Sequence, residues 1–479
     1  MKQFPRWTIV LSKALLACAV AATLVAAFYE EEDLRGDAAW KRFAGERAEA
    51  GTPLDFKYYQ PPPVPDADNL MKAPVIGKMN EEMSGRTGPW QEIQRKDHEF
   101  WAFWRFNGRW HEGVPVDYPQ VFSVLRKQNA ATGQYPGEKR TAQLIMDFIA
   151  PVGTQLDEFV KEAANRKWSV ADFPNSGPQP YLFQMSRTLS SVLAWRESAE
   201  IALGDAQASY VDIHASLRIV EANMVNPLPF RLLYAGSSGY FDLEPVWEGC
   251  ARHTWNEEQL ASLEKQLSQF RPLRLLPRAI NANTAHMAPG PKVLPGWMPE
   301  GWAEFNLIDY AETNAASDLR SFDPKAGHVN LDEIRRAREM IAALQGIHSP
   351  YRQLSKNYWF PHLVENIAKQ QCGYVLAETA CALERARLAT GAYPAVLSDL
   401  VPKYMVAVPT DVVDGNPLRY HADADGRYTL YSIGLNGIDD HGVYAKSTRN
   451  VSYLSWSTTE GDWVWPKLEP GNPSPSPGA

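Results

Sequence analysis

The chain has 479 residues, 45% of them apolar and 22% charged, with a formal net charge of −8. That length and apolar share are enough to bury two or three cores. The acidic balance, with no Lys/Arg cluster to override it, argues against a nucleic-acid partner.

Trp7 to Phe28 is apolar apart from Ser12, Lys13 and two threonines. Lys2 and Arg6 precede the run, and Glu30-Glu31-Glu32-Asp33 follow it. A run of this length spans a bilayer. Basic residues stay on the cytoplasmic side, so the body is expected outside the cytoplasm, held to the inner membrane by a single pass. Two other readings stay open. The Ala-rich end near Ala27 suits a cleaved signal peptide. Leu15-Leu16-Ala17-Cys18 suits a lipoprotein site, although apolar residues continue beyond Cys18.

Residues 30–90 read as a stalk and spacer. Glu30 to Glu49 is charged and helix-prone, and Tyr59 to Asp68 carries Pro61-Pro62-Pro63 and Pro65, a stiff extended stretch. Asp68 to Met83 suits a short helix. Trp101, Trp104, Phe106 and Trp110 form an aromatic cluster with Arg105 and Arg109. Core packing with two snorkelling arginines is the expected role, and a cation–π ligand platform is the alternative.

From Tyr118 to His348 the pattern is mostly helical. Leu182, Met185, Leu189, Val192, Leu193 and Ala199 share one face, Gly204-Asp205 ends that helix and caps the next, and Ala208, Val211, Ile213, Leu217 and Val220 continue along the second. The pair is similar to one tetratricopeptide-like unit, without the regular period of an array. Asn256-Glu257-Glu258-Gln259 is a capping box that opens a helix over Leu260–Phe270. Gly236-Ser237-Ser238-Gly239 is expected to be a loop, since the G-x-S-x-G spacing of a nucleophile elbow is absent. Pro272 to Trp302, rich in Pro and Gly, is expected to be a long loop, and Asn330 to Leu344 a helix. His214 reads as a packed or surface residue on its helix.

Glu365 to Leu388 forms an amphipathic helix through Ala368, Cys372, Val375, Leu376, Leu383 and Ala386, stopped by Gly391 and Pro394. Leu397, Leu400 and Val401 make a short turn. Leu418–Tyr420 and Tyr428–Ser432 read as two strands joined at Asp423-Ala424-Asp425-Gly426. An acidic loop follows, from Gly434 to Asp440. The order Gly391-Ala392-Tyr393-Pro394, Leu400-Val401-Pro402, Val408-Pro409-Thr410-Asp411, Gly415-Asn416-Pro417, Tyr431-Ser432-Ile433-Gly434 and Asn436-Gly437 resembles the globular head of the type II secretion major pseudopilin. It is similar also to the tail of a class of large bacterial membrane-anchored envelope proteins that end in an acidic loop and an Asp-Trp-x-Trp element, here Asp462-Trp463-Val464-Trp465. The resemblance covers roughly the last quarter of the chain. Val412 stands where the pseudopilin has proline, and His441 where the envelope class has glycine. The N-terminus lacks the Gly-Phe-Thr-Leu-x-Glu start of a pseudopilin, so polymerisation through the first helix is not expected.

The resemblance implies calcium in the loop after the hairpin, and Asp439, Asp440 and Asp462 are the metal-ligand candidates. Hard carboxylate oxygens suit Ca²⁺; a solvated acidic turn is the plain alternative. Asp423 is not an EF-hand start, because the twelfth position is Gly434 rather than Glu. Cys372 and Cys381 lie nine residues apart on one predicted helix, too far for a disulfide, and there is no CxxC. No H-E-x-x-H, Walker or dinucleotide signature occurs. The expected fold is mainly α: an anchor (1–29), the stalk and spacer (30–90), an α-helical domain (91–360), a small α+β pseudopilin-like head with an antiparallel hairpin (361–466) and a disordered tail (467–479). The expected function is a non-enzymatic envelope component that meets other envelope proteins through its head. The alternative is an extracytoplasmic hydrolase or ligand-binding protein with its site in the helical body.

Overall fold

A computed structural model describes residues 6–85, 88–93, 110, 113, 115–127, 130–170, 180–288, 295–344, 349–356, 362–424, 426–444 and 460–467. Over these residues the chain is mainly helical, with one two-stranded and one three-stranded antiparallel sheet. It divides into two units that are both discontinuous in sequence. One holds residues 1–59, 280–320 and 335–361, and the other residues 60–279, 321–334 and 362–479.

The first unit is built on α1, Arg6–Glu49, a continuous helix of 44 residues. Leu and Ala dominate its first half, with no Gly or Pro between Trp7 and Arg35 to interrupt it. This half contains an apolar run long enough to cross a membrane, none of it buried. The charged half continues the same helix and packs on α10, Glu300–Asn314. Gly36 and Gly301 permit the contact: a Cβ at Gly36 would come within 2.3 Å of the Gly301 Cα. Glu32 is buried there and accepts from Trp302 Nε1 at 2.8 Å, from Tyr351 OH at 2.9 Å and from Arg35. Burial pushes the Glu32 carboxyl up, but these three donors outweigh it and hold it below its ordinary value.

The second unit contains α2 (Pro74–Ser84), α3 (Tyr118–Lys127), α4 (Glu138–Asn165), α5 (Pro180–Leu203), α6 (Ala206–Met224), α7 (Pro229–Ala251), α8 (Glu257–Leu267) and α12 (Leu363–Thr390). Helices α5, α6 and α7 pack on one another, α4 covers α5, and α12 lies against α7 and α8. Asp205 caps α6 through the Ala208 N–H, and the Asn256–Gln259 capping box opens α8, as the sequence leads one to expect. Leu156, Phe159, Leu189, Val192, Leu193 and Ile219 lie in the shared core.

Three expectations need correction. Gly236-Ser237-Ser238-Gly239 is not a loop but lies within α7. Its glycines serve close approach rather than a turn, since a Cβ at Gly236 would strike Gln370 and one at Gly239 would strike Tyr374 of α12. Pro272 to Trp302 is not one long loop. Residues Pro272–Met287 form α9 and Glu300 opens α10, because Leu273, Leu276, Ala279 and Ile280 keep helical spacing around Pro277. Nor does α12 bury a single face: Glu365, Lys369, Gln370, Gln371, Glu378 and Glu384 are buried along with its apolar residues. Helices pack on it from one side and the sheet from another, so it needs no solvent face.

The C-terminal half of α12 carries the three-stranded sheet. Strands β3 (Arg419–Ala422) and β4 (Tyr428–Ser432) pair with Arg419 opposite Tyr431, and β5 (Trp463–Trp465) adds to β4 with Leu430 opposite Trp465. A short pair, β1 (Phe322–Asp323) and β2 (His328–Val329), forms the other sheet. Residues 397–400 form a 3-10 turn after the Tyr-Pro stop. Trp101, Trp104, Arg105, Phe106 and Arg109 lie outside the described residues, as do 468–479. Trp110 is fully buried, its ring 5.3 Å from that of Trp465.

Candidate functional site

The loop from Gly434 to Gly442 turns through positive φ at Gly434, Gly437, His441 and Gly442. Pairing of β5 beside β4 brings Asp462 back to this loop. Its carboxylate is buried and accepts the N–H groups of Asp440 at 3.3 Å and Gly442 at 2.7 Å. Burial pushes the Asp462 carboxyl up, against the lowering effect of those amides. Asp439 Oδ1 accepts from Tyr431 OH at 3.1 Å and from the His441 N–H at 2.9 Å, and Asp440 Oδ2 from Asn436 Nδ2 at 2.8 Å. The three carboxylates expected from the sequence therefore share one loop cluster, each with a protein donor already on it. Among the described residues no three His, Cys, Asp or Glu side chains converge as a metal cage. Asp439 Oδ2 lies 3.9 Å from Arg419 Nε, so that guanidinium already answers part of its charge. Asp423 closes the hairpin turn instead, through its N–H to Arg427 O at 2.8 Å, and its carboxylate takes Lys467 Nζ at 2.6 Å.

A groove of ≈ 620 Å³ lies between α4, α6 and α8. His214, Arg218 and Glu221 come to it from one face of α6, being four and three residues apart. From α8, Ser262 Oγ lies 3.1 Å from His214 Nε2, and Gln266 Nε2 donates to His214 O at 3.3 Å. Arg218 Nε is 3.1 Å from Glu221 Oε2, and the exposed Lys265 stands on the groove wall. Burial pushes His214 down, which favours the neutral imidazole at neutral pH, and pushes Glu221 up against the pull of Arg218. The groove thus combines a hydroxyl, a neutral imidazole, a carboxyl that holds its proton more firmly than usual and an ammonium. That set can bind a polar or anionic ligand and can move a proton from the serine hydroxyl. His214, read from sequence as a packed or surface residue, is part of it.

A second polar group is buried in the helical core. Arg196 forms a fork with Asp212, with Nη2 to Oδ1 at 2.8 Å, and reaches Asp157 at 2.7 Å. Ser216 donates to Asp242. Glu197 is fully buried, and among the described residues neither carboxylate oxygen has a hydrogen-bond partner. Burial pushes Asp242 up to about 8 and Glu200 up to about 9, and Asp212 adds to the effect on Glu200. Burial pushes Glu197 up as well, with Asp242, Asp212 and Glu200 as neighbouring negative charges. Burial thus favours the protonated form of these carboxyls. Sequence reasoning did not single them out. Yet Glu197 lies four residues after Leu193 and eight after Leu189, on the face that pattern assigns to the core. Ser262 carries no such signal.

Comparison with known proteins gives no match: no family model, curated protein or solved structure is similar to this chain.

Proposed function

We propose that this is a membrane-tethered, non-enzymatic component of the bacterial cell envelope. Its anchor lies in the inner membrane, its body on the extracytoplasmic side, and its head engages other envelope proteins, in an assembly of the secretion or filament type. The observation that carries this reading is α1. Its apolar run is wholly exposed, while the following turns of the same helix are docked on α10. A soluble protein leaving such a run in water would lose solubility; a bilayer would accept it. In the head, the Tyr-Pro stop packs on the hairpin. Tyr393 and Tyr428 rings lie 4.7 Å apart edge to face, and Tyr420 OH donates to Pro394 O at 2.7 Å. Ile438 and Val443 are 61% and 62% exposed on the acidic loop, and they present the head to a partner. The test is affinity capture of the full chain from detergent-treated membranes. A defined envelope partner should be retained by wild type and lost by Ile438→Asp with Val443→Asp. The same proteins captured by both would contradict the reading.

Calcium belongs to this proposal. Asp439 and Asp440 would supply the carboxylate oxygens, the cation displacing Arg419 from Asp439 Oδ2, with Asp462 holding the loop from behind. Extracytoplasmic sites of this kind bind at about 10⁻⁴–10⁻³ M. Millimolar Ca²⁺ should then raise the Tm of the full chain over that in chelator, and Asp439→Ala with Asp440→Ala should abolish the rise. Equal Tm values for wild type in both conditions would leave a solvated turn.

The groove favours the second reading, a ligand-binding or hydrolytic site in the helical body, because it holds His214, Ser262 and Glu221 together. A serine-directed phosphonate should then label Ser262 and fail on His214→Ala. Absence of labelling on wild type would remove the hydrolase version.

A further inference from the structure

We infer that Cys250 and Cys381 form a disulfide that fastens α7 to α12, and so ties the helical bundle to the helix carrying the head. The two helices run parallel, and their register is legible from contacts along them. Gln370 Nε2 donates to Leu233 O at 3.1 Å, Tyr374 OH to Ala235 O at 3.3 Å, and His253 Nδ1 lies 3.0 Å from Glu384. Gly236 and Gly239 let the helices approach closely along this seam. Cys250 lies three residues before His253, and Cys381 three before Glu384. Both cysteines lie close to the His253–Glu384 contact, and the Cys250 thiol has the Cys381 thiol as its hydrogen-bonding neighbour. Both are buried free thiols in the structure, at 2% and 0% exposure. A disulfide requires Cα atoms within about 7 Å of each other, a separation that Cys372 and Cys381, nine residues apart on one helix, exceed. Cys372 is occupied elsewhere, hydrogen-bonded with Ser432.

The bond rests on the extracytoplasmic placement proposed above, since that space is oxidising. The oxidant is a protein dithiol in its disulfide form. One chain thiolate attacks an oxidant sulfur and expels the other as thiolate. The second chain thiolate then attacks the chain sulfur of the mixed disulfide and expels the remaining oxidant thiolate. The chain loses two protons and two electrons, and the oxidant leaves as a dithiol. Because both cysteines are buried after folding, the exchange belongs to the stage before α12 docks on α7. The bond closes a long loop and restricts the unfolded chain.

The test uses the full chain, quenched in acid from membranes, then alkylated in denaturant with and without reduction and mapped by mass spectrometry. The expected result is a linked pair of peptides containing Cys250 and Cys381, two hydrogens lighter than the thiols, with Cys372 alkylated in both samples. Cys250→Ser should leave Cys381 open to alkylation without reduction. A second sample, reduced full chain in detergent and mild urea, is exposed to oxidised glutathione. Thiols in cells that link only in this sample would support the pairing and overturn the extracytoplasmic placement. Alkylation of both cysteines without reduction in every sample, or linkage of either to Cys372 or Cys18, would overturn the pairing.

Discussion

Asp411 is fully buried, yet its carboxylate is well supplied with donors. It accepts from the Val413 N–H at 2.8 Å, Ser432 Oγ at 2.6 Å, the Ile433 N–H at 3.0 Å and Arg419 Nη1 at 3.1 Å. It thus ties the turn before β3 to the end of β4. Asp411→Ala would leave several of these donors buried and unpaired, and should cost roughly 2–4 kcal/mol in denaturant unfolding. Glu197 is the opposite case, buried without a hydrogen-bond partner among the described residues. With Glu200 pushed up to about 9 and Asp242 to about 8, the folded chain keeps protons that the unfolded chain releases. The stability these carboxyls confer is full below their unfolded values, about 4, and is lost as pH rises through the folded ones. The Tm should therefore fall between about pH 5 and pH 9. Glu197→Gln, which removes one ionisation but keeps the size, should flatten that fall and raise the Tm at the alkaline end. A Tm that is flat with pH, or equal for wild type and variant at the alkaline end, would contradict this reading.

Among elements, α12 shows how far sequence patterns reach. Its helix, its stop at Gly391, and the β3–β4 hairpin were legible because spacing, capping and turn residues are local signals. Its burial on several sides was not, because the partners α7 and α8 lie about a hundred residues earlier in the chain. The same limit explains α7: glycine read locally signals a turn, whereas Gly236 and Gly239 answer to a distant helix. At the acidic loop the three candidate residues were legible, but not the amides and hydroxyls that already occupy them. The groove depends on Ser262 meeting His214 across two helices, and nothing local marks that meeting. Two variants test packing at this scale. Leu383 is fully buried on α12. Leu383→Asp should cost several kcal/mol, about 3–5, because it places a charge in an apolar contact. Gly36→Ala drives a Cβ into the Gly301 backbone of α10, and should destabilise the first unit by roughly 1–3 kcal/mol through overpacking. Differential scanning calorimetry of the full chain would read both. Wild-type unfolding in either variant would contradict the corresponding contact.

For the whole molecule, the central claim is that one N-terminal helix holds the chain in a membrane with its body outside the cytoplasm. The proposed orientation rests on the charge pattern, with Lys2 and Arg6 before the apolar run and Glu30 to Asp33 after it. The most direct measurement places two reporters after Ala479 in separate strains, a phosphatase active only outside the cytoplasm and a fluorescent protein that folds only inside it. The account expects phosphatase activity, no fluorescence, and an intact N-terminus that resists carbonate extraction. Fluorescence without phosphatase activity would contradict the orientation, and carbonate-released protein beginning after Ala27 would contradict the tether.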